Sequence, residues 1–167
     1  EDSYSKENKG RLMGTFAEDC AGHFKFTRSA QDEFAIASTT RAQAAINNGD
    51  FSWEVVPVTV SGRKGDVVVD KDEQPLKAQI DKIPTLKPAF KKDGTVTPAN
   101  SSSISDGAAA LVLMRKSTAD KLGLKPVATI VGHATHAQQP ALFTTAPVGA
   151  MQKVLAKAGW STEQVDL

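Results

Sequence analysis

LKPAFKKDGTVTPANSSSISDGAAALVLM, residues 86–114, decides how this chain is read. Lys92-Asp93-Gly94 is a turn signal. Thr95-Val96-Thr97 is a short β-favouring run, stopped by Pro98. Asn100 to Ser103 form a polar loop whose side chains are too small for a core. Asp106-Gly107 is another turn, and Ala108 to Met114 is an unbroken apolar run of strand length. A small-residue polar loop just before a buried strand lets a ligand approach the backbone closely, a common way of building a site on a scaffold.

Working outward, the 167 residues suffice for one ordinary domain. Apolar content of 40% and charged content of 23% are those of a soluble globular protein. A formal net charge of +1 leaves no nucleic-acid or membrane footprint. No apolar run reaches the ~18 residues of a membrane span. The start, EDSYSKENKG, is polar, is not a signal peptide, and lacks an initiator Met, so it reads as the interior of a larger protein. A single Cys excludes an internal disulfide framework and fits a reducing compartment.

Residues 1–10 read as a loop. Thr15-x-x-Glu18 has capping-box spacing and predicts a short helix over 16–21, stopped near Gly22. Ser29 with Asp32 predicts a helix over 30–46, with Ala30, Phe34, Ala37 and Ala45 on one face and a stop at Asn47-Asn48-Gly49. Val55–Val60, a Ser61–Gly65 turn and Asp66–Asp70 predict a hairpin, and Pro57 marks an edge or bulged strand. Residues 71–87 read as irregular. After the strand over 108–114, Ser117 caps a helix to Leu122, closed by Gly123 and Pro126. Val127–Gly132 reads as a strand and 133–146 as a loop. Pro147 opens a helix with Val148, Met151, Leu155 and Ala158 as its apolar stripe and Gly159 as its stop. Val165 to Leu167 read as the start of a further strand. Helix, helix, hairpin, then strand–helix–strand–helix is an α/β pattern whose second half wants a parallel sheet with more strands than this chain holds.

Some residues tempt a sharper reading. Cys20 among Phe16, Ala17 and Ala21 reads as a small buried hydrophobe, with no electropositive partner to make it reactive. His133 and His136 have HxxH spacing but no nearby Cys or carboxylate cluster for zinc, so a loop or interface role is preferred. His23 reads as a helix-end residue favoured by the dipole, and Trp53 and Trp160 as core or interface anchors.

LKPAF, DGTVT, Asn-x-Ser and SDGAAALVLM, in this order and spacing, resemble the thiolase family of acetyl-CoA acetyltransferases and 3-ketoacyl-CoA thiolases. The resemblance extends through Met13-Gly14-Thr15, Gln31 to Ala35, Val56-Pro57-Val58, Gly62 to Asp66, Pro140, Ala146 to Ala150, Lys157 to Trp160 and Val165-Asp166-Leu167. It implies an α/β thiolase-fold fragment, a loop domain plus parts of the two βαβαβ domains. By it, 1–104 corresponds to most of the loop domain, 105–125 to the end of the N-terminal domain and 126–167 to the start of the C-terminal domain. The family's nucleophilic Cys falls before residue 1. Its NEAF Asn, GHP His and second Cys fall beyond Leu167. The chain is thus expected to carry no catalytic residue, to be inactive alone, and to supply walls of a coenzyme A site.

For that site the resemblance implies Ser102 as the hydroxyl on the pantetheine. Ser101, Ile104 and Pro98 are its neighbours, Phe90 packs near adenine and pantetheine, Met13 lies in the tunnel, and Phe143 stands where the family has a Met near the acyl end. The Arg near the adenosine phosphate aligns with Leu76, and Lys77, one step on, stands in for it. Leu12 replaces a frequent His. The activity implied is acyl transfer between acyl-CoA molecules through a Cys acyl-enzyme, two acetyl-CoA giving acetoacetyl-CoA and CoA, or the reverse thiolysis. It belongs to a cytoplasmic homodimer or homotetramer of fatty acid metabolism that uses coenzyme A thioesters as substrates, with no other cofactor, no metal, no nucleic acid and no membrane. Three alternatives stay open: a degradative 3-ketoacyl-CoA thiolase of broader chain length, a non-catalytic thiolase-like acyl-CoA or lipid binder, and a free-standing small α/β binding module.

Overall fold

The computed structural model describes residues 10–166. The loop reading of residues 1–9 and the place of Leu167 lie outside the described residues. The chain divides into two compact units, Ala17–Ser103 and a unit made of Glu1–Phe16 with Ile104–Leu167.

The unit Ala17–Ser103 is organised by α2 (Arg28–Asn48). Thr27 is its N-cap: the hydroxyl accepts from the Ala30 N–H at 3.1 Å, satisfying one of the free donors of the first turn. Gly49 ends it at φ 75°, a left-handed conformation that a β-carbon disfavours. The inward stripe is Arg28, Asp32, Ala35, Thr39 and Ala42, at helical spacing, with Asp32 and Ala35 buried. Phe34 is 78% exposed, so the apolar face read from the sequence is not the packed one. The reason is that α2 packs against polar loop backbone, which a carboxylate and an amide serve better than a phenyl ring.

Two short elements cover that stripe. The helix α3 (Glu73–Lys77) is capped by Asp72, and a 3₁₀ turn runs over Ile80–Thr85, in the segment expected to be irregular. Gln43 Nε2 donates to the Pro75 carbonyl at 2.7 Å, tying α2 to α3. Strands β1 (Val58–Gly62) and β2 (Gly65–Val69) form the expected antiparallel hairpin, a few residues later on the first strand than read, with Gly62 opposite Gly65. Every residue of both strands is exposed.

The helix α1 spans Met13–Phe24, longer than expected at both ends, and passes through Gly22. Thr15 therefore lies inside the helix and its hydroxyl donates to the Leu12 carbonyl at 2.7 Å. The expected capping box does not form, because Glu18 is committed elsewhere. Its carboxylate accepts from the Thr95 N–H at 3.0 Å and the Val96 N–H at 2.8 Å. The run 95–97 forms no strand for the same reason: its amides go to a side chain and not to a ladder.

In the other unit, Phe16 is the buried centre, 1% exposed, with Phe143 edge-on at 6.1 Å and the Arg11 guanidinium 4.3 Å above its ring. Helix α4 covers Lys116–Lys121, so Ser117 is not its cap, and Gly123 follows at φ 65°. A 3₁₀ turn over Pro140–Thr145 leads into α5 (Ala146–Ala158), with Pro147 in its first turn and Gly159 closing it at φ 71°. Val148 and Met151 of its apolar stripe are half-exposed at 50% and 54%. Residues 132–136 run beside α5: Lys153 and Lys157 ammonium groups reach the Thr135 and His133 carbonyls, and a β-carbon on Gly149 would stand 2.6 Å from His136 Nδ1. Only a glycine lets that ring lie so close.

The expected strands 108–114 and 127–132, and Val165-Asp166, make no ladder. Leu111, Val112 and Val127 are 86–89% exposed. A strand exists only where a neighbour takes its hydrogen bonds, and among the described residues these runs have none. Trp53 is 73% and Trp160 46% exposed, so neither is a core anchor, and Cys20 is half-buried rather than buried.

Candidate functional site

A groove of about 630 Å³ opens in the unit Ala17–Ser103, within the size range of small-molecule sites. One wall comes from α2 through Ser38, Thr39 and Ala42. A second comes from α3 and the 3₁₀ turn, through Gln74, Pro75, Lys77 to Gln79, Lys82, Ile83 and Leu86. The third is the loop Pro98, Ala99 and Ser101 to Ser103.

The loop is held from below. Thr97 is fully buried. Its hydroxyl accepts from the Ala99 and Asn100 N–H groups, and its own N–H donates to Asn100 Oδ1 at 2.7 Å. Its carbonyl accepts from the Ser101 hydroxyl at 2.7 Å. Asn100 Nδ2 donates to Asp32 Oδ1 at 3.1 Å and to the Thr95 carbonyl at 3.0 Å. Threonine and asparagine suit this place because short polar side chains can bond their own neighbouring backbone. Below the turn over 91–94, Ala89 N–H donates to the Val96 carbonyl, so the loop leaves a closed base.

Of the residues expected to bind, Ser101, Ser102, Pro98 and Lys77 line this groove together. Ser102 is exposed and Ser101 half-buried with its hydroxyl spent on Thr97. Phe90 lies in the same unit, half-buried, and does not line the groove. Met13, Ile104 and Phe143 belong to the other unit, exposed to 45%, 103% and 39%. Sequence reading missed Lys82, Gln79 and the α2 wall. The signal for the wall was present in the i, i+3, i+4 recurrence of Arg28, Asp32, Ala35, Thr39 and Ala42.

Two ammonium groups, Lys77 and Lys82, stand beside hydroxyls, amides and small apolar surface. Lys77 pairs with Glu73 at 3.1 Å, both well exposed. Such a surface pair is worth little, so an anionic ligand can replace its carboxylate. The described lining thus offers hydroxyls, amides and two ammonium groups, and no Cys, His or carboxylate to act as a nucleophile or base. Among the described residues no group of three or more His, Cys, Asp or Glu could hold a metal, and no helix is long and apolar enough to cross a membrane. Away from the groove, the Ser161 hydroxyl, with further bonds from the Glu163 backbone and Thr162, holds the exposed Glu163 carboxyl below its ordinary range.

Residues 1–117 match the thiolase N-terminal domain and residues 124–167 the thiolase C-terminal domain. A probable acetyl-CoA acetyltransferase of Dictyostelium discoideum is 48% identical over 167 residues, covering 99% of this chain and 40% of the relative. Acetyl-CoA acetyltransferase 2 of Arabidopsis thaliana is 50% identical over 157 residues, 92% of this chain and 39% of the relative. The crystal structure of the Bacillus anthracis acetyl-CoA acetyltransferase superposes with a TM-score of 0.88 at 42% identity, over 94% of this chain and 40% of that one. Human mitochondrial 3-ketoacyl-CoA thiolase gives 0.84 at 35% identity, over 93% and 40%. The chain thus spans about 40% of the length of these relatives, and its fold is the corresponding part of the α/β thiolase fold. With both domain matches in place, this chain belongs to the thiolase family.

Proposed function

We propose that the protein carrying this chain is an acetyl-CoA C-acetyltransferase. It would join two acetyl-CoA molecules into acetoacetyl-CoA and CoA, or run the reverse thiolysis, through a cysteine acyl-enzyme. In this reading residues 1–104 are most of the loop domain, 105–125 close the N-terminal domain and 126–167 open the C-terminal one. The chain supplies walls for coenzyme A and none of the reacting groups. Met13, Ile104, Phe90 and Phe143 are the further positions that the likeness to thiolases marks for coenzyme A. The protein works in the cytoplasm as a homodimer or homotetramer.

The observation that carries the reading is the convergence of Ser101, Ser102, Pro98 and Lys77 on one groove. These four are among the positions that likeness to thiolases had marked for coenzyme A. A hydroxyl for an amide-rich chain, with ammonium groups for phosphates, is what coenzyme A demands. The 3-ketoacyl-CoA thiolase reading is second, supported by the superposition on the human mitochondrial enzyme. The test is steady-state kinetics of the complete protein and its Ser102→Ala variant, with acetoacetyl-CoA and a long-chain 3-ketoacyl-CoA. Ser102→Ala raises KM for the CoA substrates more than it lowers kcat. An unchanged KM removes Ser102 from the site, and a preference for the long chain favours the second reading.

A further inference from the structure

Two of the groove's three walls, the 80–86 turn and the serine loop, are linked through one buried carboxylate. Asp32 is 4% exposed and both its oxygens are used. Oδ2 accepts from Arg28 Nε at 2.6 Å, and Oδ1 accepts from Asn100 Nδ2 at 3.1 Å. Arg28 goes on to donate to the Ile83 carbonyl at 3.1 Å, in the turn that forms one wall. Asn100 goes on to Thr97, whose carbonyl holds the Ser101 hydroxyl on the other wall. We propose that Asp32 is a positioning residue for coenzyme A, fixing the spacing between the 80–86 turn and the serine loop by bridging Arg28 and Asn100. This rests on the coenzyme A reading above.

The choice of residue follows from the geometry. A carboxylate offers acceptors to two donors at once, and the two donors are committed to different walls. In Asp32→Asn one oxygen becomes an NH₂ that faces a donor, so one of the two links must break while the volume stays constant. The walls are then tied to α2 separately and the groove's width is free to vary. A loosened site loses binding before it loses chemistry, since the lining has no reacting group.

The experiment is kinetics of the complete protein, wild type, D32N, N100A and E33Q, with coenzyme A as the varied substrate in thiolysis. Glu33 is the control: it lies on the same helix, exposed, and accepts only from the Ser29 hydroxyl in the described contacts. Loss of one charged hydrogen bond raises KM for coenzyme A roughly three- to tenfold in D32N and N100A, with kcat within about twofold and E33Q like wild type. An unchanged KM with lowered kcat or thermal stability overturns the assignment, because Asp32 then only holds the fold together. Insolubility of both D32N and N100A also overturns it, making the network a requirement of folding and not of the groove. A wild type that shows no saturation with coenzyme A sinks the functional reading itself, whereas saturation with D32N unaltered sinks only the role of Asp32.

Discussion

Glu18 shows how far a single residue can be read. Thr15-x-x-Glu18 has the spacing of a capping box, yet Thr15 is already helical and the carboxylate bonds backbone 77 and 78 residues away. No local pattern carries that information, because the partner amides become free only when Thr95 and Val96 fail to form a strand. A β-carbon on Gly94 would collide with the same carboxylate, so the Asp93-Gly94 turn is also a packing requirement. Glu18→Ala leaves two loop amides without their acceptor, and each unmet buried donor costs about 1–3 kcal/mol. Urea unfolding of the protein is expected to lose about 2–6 kcal/mol, the range that penalty sets for two amides. A change below about 0.5 kcal/mol, the level of ordinary surface substitutions, would show that the loop finds other acceptors. Ser101, Ser102, Pro98 and Lys77 were legible before the structure only through likeness to a family. Composition alone gave a small-residue loop and nothing about its partners.

At the scale of elements, signals held where they were covalent or local. Gly49, Gly123 and Gly159 stand at φ of 75°, 65° and 71° just where stops were expected. Helix starts were less legible, since several hydroxyls compete near each one. Thr27 caps α2, while Ser29, expected to start it, is within the helix and donates to Glu33 on the exposed surface at 2.8 Å. The two therefore separate by experiment. Thr27→Ala costs about 1 kcal/mol, the usual worth of an N-cap. Ser29→Ala stays within about 0.5 kcal/mol, as for a surface contact. Thermal unfolding of the two variants checks this, and equal losses would mean that the cap is shared. The runs 108–114 and 127–132 were expected as strands, and neither forms one among the described residues. Strand identity was beyond reach, because a ladder belongs to two segments and the described residues supply only one.

The whole molecule makes the same point in area. A folded chain of 17.7 kDa exposes about 8,000 Å², and two separate bodies of half that mass about 9,600 Å² together. This chain exposes 13862 Å². The surplus includes Leu111, Val112 and Leu113 at 71–87% exposure and Val127, Ile130 and Val131 at 59–89%. Apolar runs of this size on a surface mark contact with something else, and the relatives are about two and a half times as long, the chain covering 40% of them. Val112 separates the two environments. In the chain alone it touches mainly water, so Val112→Asp leaves the urea transition within about 0.5 kcal/mol and lowers both binding of a hydrophobic dye and self-association, read by analytical ultracentrifugation. In the longer thiolase proposed above, with 108–114 as a covered strand, the same carboxylate would cost several kcal/mol with no partner for its charge. Soluble yield and thiolysis should fall together there. If Val112→Asp instead unfolds the isolated chain, the 108–114 run is packed within it, and the surplus area must be assigned to other residues.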